Sequence, residues 1–188
     1  MTYVAVGPLS LRIVLAGLIP CLALAALPTS EKVDLLAGEL PTLQSSTMTD
    51  LGGATIDSQN WLGRITILNM WATWCAPCRE ELPDLIELQR RYPESLVVIA
   101  ISVDTGPTES VRDFVTRHNI TFPVIMQDNA RGLGLPAIDA VPTTFVADDT
   151  GRMVRRFRGR VSLKTLDQDI RALITLGAQR LDNAAAIK

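Results

Sequence analysis

The segment that most restricts the fold is Ile65-Thr66-Ile67-Leu68-Asn69-Met70-Trp71, with Cys75-Ala76-Pro77-Cys78 starting four residues later. A short, largely apolar run with β-branched and aromatic residues reads as a buried strand. The stretch from Cys75 to about Tyr92 reads as a helix, so the cysteine pair sits where a buried strand hands over to a helix. Downstream, Leu96 to Val103 is a second buried strand, Glu109 to His118 a helix through Val111, Phe114 and Val115, and Phe122 to Met126 another strand. Thr143 to Ala147 and Met153 to Phe157 form a hairpin through the turn-rich Asp148-Asp149-Thr150-Gly151. A helix from Leu163 to about Leu176, with Ser162 as N-cap, closes the domain. Upstream, Leu51-Gly52-Gly53 marks a hairpin at the domain's entrance. Strands separated by helices, then a hairpin and a helix, describe a central sheet with helices on both faces.

The remaining chain sets the organisation. The first 28 residues carry one charge, Arg12, and Ile13 to Pro28 is a run of 16 residues without a strongly polar side chain. A weakly basic start, this run and Ala23-Leu24-Ala25 read as an export element, either a cleaved signal peptide or a membrane anchor. Cys21, within that run, reads as an apolar, membrane-compatible residue. Residues 29–40 read as a linker and 41–188 as one domain, which suits a chain of 188 residues. With 18 basic and 20 acidic residues and a pI near 5.4, nothing draws the chain as a whole to nucleic acid.

Two cysteines three apart at a helix N-terminus can close a disulfide. The positive end of the helix favours the thiolate of the first, so Cys75 would attack and Cys78, one turn inside, would resolve the mixed disulfide. A zinc half-site would need further ligands, yet only one other cysteine, Cys21, and one histidine, His118, are present. An inert structural disulfide is the other reading, but closing so short a loop gains little. In the same helix, Cys78, Glu81, Leu85 and Leu88 share one face while Glu80, Asp84, Glu87 and Arg91 share a charged one. Glu81 is therefore a carboxylate on the apolar stripe. Its pKa is expected to rise, and it lies one turn from Cys78, where it could hold that thiol's proton. A glutamate snorkelling to solvent is the plain alternative.

Trp71-Ala72-Thr73-Trp74-Cys75-Ala76-Pro77-Cys78-Arg79-Glu80-Glu81-Leu82-Pro83 resembles the active-site signature of the TlpA/ResA/DsbE family of thioredoxin-like thiol:disulfide oxidoreductases. The Leu51-Gly52-Gly53 hairpin resembles that family's N-terminal extension, and Val141-Pro142-Thr143-Thr144-Phe145-Val146 its cis-proline strand. The resemblance spans about residues 40–176. It implies an α/β thioredoxin fold, with a central mixed sheet flanked by helices and an N-terminal hairpin. It further implies a protein-disulfide reductase on the periplasmic side, inner-membrane anchored or released, acting as a monomer of cytochrome c or respiratory-oxidase maturation type. The redox-active group is Cys75 with Cys78, so no cofactor or metal is expected. Glu81 matches a functional glutamate of ResA-like proteins, and Trp74, Val141 and Pro142 fall where a client protein would be contacted. Electrons would come from a membrane thiol carrier.

Asn69 stands six residues before Cys75, where ordinary thioredoxins carry a buried aspartate. The P-x-x-x-T-x-x-C pattern of peroxiredoxins would need proline at 70 or 71, where Met70 and Trp71 stand. An oxidase using the same residues is the first rival, and a copper-binding assembly chaperone the second, although related copper carriers use C-x-x-x-C with a distal histidine. The absence of charge in Ala76-Pro77 favours a reductant. Two features are read plainly. His118 at a helix C-terminus has an electrostatic explanation. The five arginines at 152, 155, 156, 158 and 160 read as a charge-protected edge strand in preference to a docking patch for an acidic partner or lipid headgroups.

Overall fold

The structure is a computed structural model that describes residues 32–33 and 41–186, so the export element at 1–28 lies outside the described residues. Among the described residues, eight strands and three α-helices follow in chain order. They are β1 (Lys32–Val33), β2 (Thr47–Thr49), β3 (Thr55–Asp57), β4 (Ile65–Trp71), α1 (Ala76–Arg91), β5 (Leu96–Ser102), α2 (Thr108–Arg117), β6 (Val124–Met126), β7 (Thr143–Ala147), β8 (Met153–Arg158) and α3 (Leu163–Ala186). The main sheet has the order β1-β8-β7-β4-β5-β6, parallel across β4, β5 and β6 and antiparallel elsewhere, while β2 and β3 form a separate hairpin. This is the thioredoxin fold that the family resemblance implies.

All seven residues of β4 and of β5 are buried, because both strands lie inside the sheet with a core on each face. Alternation divides them. Ile65, Ile67 and Trp71 with Leu96, Val98 and Ala100 join one cluster, and Leu68 and Met70 with Val97, Ile99 and Ile101 the other. The buried apolar side chains of α1, α2 and α3 all enter the first cluster. The second is closed by Met48 of the hairpin, by Trp61 of a 3-10 turn (Ser58–Trp61), and by Ala130 and Leu133. Helices on both faces were expected, but the three α-helices share one. The reason is topological: the steps from β4 to β5 and from β5 to β6 run the same way along the sheet, and right-handed crossovers then place α1 and α2 on the same side.

The entrance hairpin forms where expected, its turn held by Asp50 accepting from the Ala54 N–H at 2.8 Å and by Gly53 at φ 85°. Leu51 donates its N–H to the Val124 carbonyl, which fixes the hairpin to β6. The closing helix starts at its predicted cap, Ser162 Oγ accepting from the Thr165 N–H at 3.2 Å, and runs ten residues beyond Leu176. Among the described residues no helix is long and apolar enough to cross a membrane.

The arginine-rich strand differs from expectation. β8 is not the sheet's edge, because β1 pairs with Phe157 and Arg158, and Thr42 bridges to Arg152. The arginines in and beside β8 meet acids: Arg152 pairs with Asp148 of the adjoining turn, Arg155 with Asp169, Arg156 and Arg158 with Asp139, and Arg160 with Glu80 and Asp84. The charge that looked unpartnered along the sequence is paired in three dimensions. His118 caps the end of α2, with its Nδ1 2.9 Å from the Phe114 carbonyl and its ring stacked on Phe114.

Candidate active site

Strand β4 ends at Trp71, and the loop that follows delivers Cys75 to the N-cap of α1. The loop is pinned from the neighbouring strand end. Asp104 accepts from the Thr73 N–H at 3.0 Å and from the Thr73 hydroxyl at 2.6 Å, and is itself steadied by the Ser102 hydroxyl at 2.8 Å. Arg79 reaches back to the Thr73 carbonyl at 3.1 Å. These contacts hold both sides of the turn on which the cysteines sit.

Cys75 and Cys78 are joined in a disulfide with their Cα atoms 5.3 Å apart. Cys75 is 5% exposed and Cys78 fully buried, so an incoming sulfur meets Cys75 first. The Cys78 N–H donates to Cys75 Sγ at 3.3 Å. No acidic residue occupies the first turn of α1. Once the disulfide is reduced, that N–H and the positive helix end both favour a thiolate at Cys75. Trp74, immediately before it, is 67% exposed, an unusual placement for so large an apolar side chain.

Glu81 lies inside, at 1% exposure, on the stripe of α1 that also buries Cys78, Leu85 and Leu88. Its Oε1 accepts from Asn69 Nδ2 at 2.7 Å and its Oε2 from the Val161 N–H at 3.3 Å. Burial pushes the carboxyl up from 4.5 to about 7, against the hydrogen bonds from Asn69 and Val161 and the charge of Arg160, which pull it down; nearby Asp84 adds to the rise. A group with that affinity exchanges protons near neutral pH.

Asn69 departs from the ordinary thioredoxin pattern, and its position along the strand alone assigns it no role. It is fully buried in β4, and its Nδ2 also donates to Thr144 Oγ1 of β7 at 3.0 Å. The signal was present in the sequence: an amide in an otherwise apolar strand must find hydrogen-bond partners. Thr144, Val161 and Asp104 carried no such signal, because their partners are remote in sequence.

Val141 and Pro142 precede β7, and the peptide between them is cis. Val141 packs against the cluster that contains Cys75 and Cys78, and Pro142 is buried. The Pro142 carbonyl accepts from Gly159, whereas among the described residues the Val141 N–H and C=O have no hydrogen-bond partner. Among the described residues no group of three or more His, Cys, Asp or Glu side chains is arranged to hold a metal ion.

A sheet of this order, with a disulfide at the N-cap of the helix that follows its central strand, defines a thioredoxin-fold thiol:disulfide oxidoreductase. The chain belongs to the AhpC/TSA family, whose model matches residues 40–156. Within it, the similarity is to thiol-disulfide oxidoreductases named ResA and to a DsbF homologue. A thiol-disulfide oxidoreductase ResA from Bacillus cereus is 34% identical over 121 residues, 64% of this chain and 69% of that protein. The crystal structure of a DsbF homologue from Corynebacterium diphtheriae superposes with a TM-score of 0.67 at 29% identity, covering 78% of this chain and 96% of that one. A secreted thiol-disulfide isomerase from Corynebacterium glutamicum gives a TM-score of 0.58 at 30% identity over 74% of this chain and 85% of that one.

Proposed function

We propose that the protein reduces disulfides in client proteins on the extracytoplasmic side of the membrane. Residues 1–28 would direct export or anchor the chain, 29–40 would tether it, and 41–188 would carry the catalysis. The observation that carries the reading is the Cys75–Cys78 pair at the start of α1, with a buried carboxyl one turn further on.

In the reduced protein the Cys75 thiolate attacks one sulfur of a client disulfide. The client's S–S bond breaks, its second sulfur leaves as a thiolate, and a mixed disulfide joins Cys75 to the client. Cys78 then gives its proton to Glu81 and attacks Cys75 Sγ, releasing the client's remaining thiolate and closing Cys75–Cys78. Two electrons pass to the client, whose two thiolates take protons from water. The oxidised pair must next be reduced by another dithiol, which we assign to a membrane thiol carrier. Trp74 and the open backbone of Val141 supply the contact surface, the latter by pairing with an extended client segment. The uncharged Ala76-Pro77 between the cysteines adds no cation to hold the Cys75 thiolate, which supports the reductant direction.

Clients of cytochrome c or respiratory-oxidase maturation type would present a closely spaced cysteine pair. The test is a synthetic Cys-x-x-Cys-His peptide carrying its disulfide. The reduced full-length protein is expected to reduce it with stoichiometric loss of its own thiols, and Cys78→Ser to accumulate the mixed disulfide that Cys75→Ser cannot form. If instead the oxidised protein converts the peptide dithiol to a disulfide and the reduced protein leaves the oxidised peptide untouched, the protein is an oxidase.

A further inference from the structure

We propose that Asn69 is the positioning residue for Glu81, its amide serving the buried carboxyl in both protonation states and tying it to the strand that follows the Val141–Pro142 turn. The inference rests on the role given to Glu81 above, and goes beyond it by naming the group through which that role is set.

The geometry supplies the argument. Asn69 Nδ2 spends both hydrogens, one on Glu81 Oε1 at 2.7 Å and one on Thr144 Oγ1 at 3.0 Å. Its Oδ1 is buried without a partner. This arrangement suits an ionised Glu81, which can only accept. A protonated Glu81 has an O–H to place, and among the described residues the idle buried acceptor beside it is that Oδ1. Turning the amide over brings Oδ1 to the position of Nδ2, where it accepts from the carboxylic acid, and the Thr144 hydroxyl can change from acceptor to donor. Asparagine is thus matched to a neighbour that gains and loses a proton. Leucine in its place would serve neither form, and aspartate would bring a second negative charge.

The surroundings leave this role to Asn69. From the segment before α3 come the Val161 N–H, which donates to Oε2, and Arg160, whose guanidinium is shared with Glu80 and Asp84 on the outer face of α1. From α1 itself come Cys78, one turn back, and Asp84. From β4 there is Asn69, and from β7 Thr144 through it. A backbone N–H and the arginine can favour only the charged form. Of the two groups hydrogen-bonded to Glu81, Asn69 and the Val161 N–H, only Asn69 presents both a donor and an acceptor on one rotatable group.

The test follows the Glu81 carboxyl carbon by NMR in oxidised, glutamate-labelled full-length protein, where the paired cysteines do not titrate. Replacing Asn69 with leucine (Asn69→Leu) removes a charge-assisted hydrogen bond from the carboxylate and only a weaker neutral one from the acid, so the carboxylate loses more. The Glu81 midpoint is expected to move upward by about one pH unit, a tenfold gain in proton affinity. The isosteric Asn69→Asp, which serves if Asn69→Leu fails to fold, should split the titration into two steps whose upper one lies above the wild-type midpoint. A midpoint that stays in place overturns the proposal. The rate at which Cys78 resolves a mixed disulfide, measured against pH, supplies the second readout. Asn69→Leu should shift that profile in the wild type and leave it unmoved in Glu81→Gln. Equal shifts in both backgrounds overturn the proposal, since Asn69 would then act without Glu81. If Glu81→Gln resolves with the wild-type profile while the Glu81 midpoint still moves in Asn69→Leu, Asn69 stands as the positioning residue and the proton role of Glu81 falls instead.

Discussion

Holding Glu81 inside the protein has a cost that depends on pH, and the structure sets its size. Its carboxyl titrates at about 7 in the folded protein against 4.5 as the reference value, because burial disfavours the charge more than its hydrogen bonds and Arg160 favour it. The folded state therefore binds a proton more tightly than the unfolded one. Below pH 4.5 both states are protonated and no penalty arises; as pH rises from there the unfolded state gives up its proton while the folded state keeps it, so stability falls until the folded carboxyl also ionises near pH 7. At about 1.4 kcal/mol for each tenfold change in proton affinity, the loss between those limits is about 3 kcal/mol. Glu81→Gln removes the titration and keeps the shape. The oxidised variant should gain about 3 kcal/mol relative to wild type between about pH 4 and pH 8, with the other acids cancelling in the difference. Urea unfolding of both proteins across that range measures it. Parallel stability profiles for the two would refute the claim that Glu81 is protonated near neutrality.

Other perturbations follow from the same contacts. Asp104→Ala leaves the Thr73 N–H, the Thr73 hydroxyl and the Ser102 hydroxyl without their acceptor, so thermal unfolding should show a loss of about 2–3 kcal/mol; a change below about 0.5 kcal/mol would mean that the loop before Cys75 holds itself. Trp74→Ala should alter stability by less than about 0.5 kcal/mol, because the ring is mostly exposed, while slowing mixed-disulfide formation with a protein client; unchanged trapping would remove Trp74 from the contact surface.

Local pattern was legible in the sequence and remote pairing was not. The apolar run 65–71 matches β4, and the 3-4-3 spacing of Cys78, Glu81, Leu85 and Leu88 marks the buried stripe of α1, since both depend only on which residues recur at the period of one element. The partners of the arginines at 152–160 lie in α1, α3 and the segments before and after β7, so no reading along β8 could find them. Likewise β1 is two residues long and forms only against β8, with too little chain to show a period. In the site, the disulfide-bonded cysteines and the buried acid could be read from one helix. The amide that faces the acid comes from β4, and its link to Thr144 crosses 75 residues of chain. Asn69 showed itself as an oddity in the strand, but its partner could be identified only once α1 was laid across the sheet.

The claim at the centre of this account is that electrons flow from Cys75 and Cys78 to the client. The reduction potential of that pair, measured in the full-length protein against glutathione or dithiothreitol buffers, tests it most directly. A value near thioredoxin's, about −270 mV, or somewhat above it is the predicted result and makes the protein a dedicated reductant. A value near DsbA's, about −120 mV, would contradict the account and make it an oxidant that uses the same residues in the opposite direction.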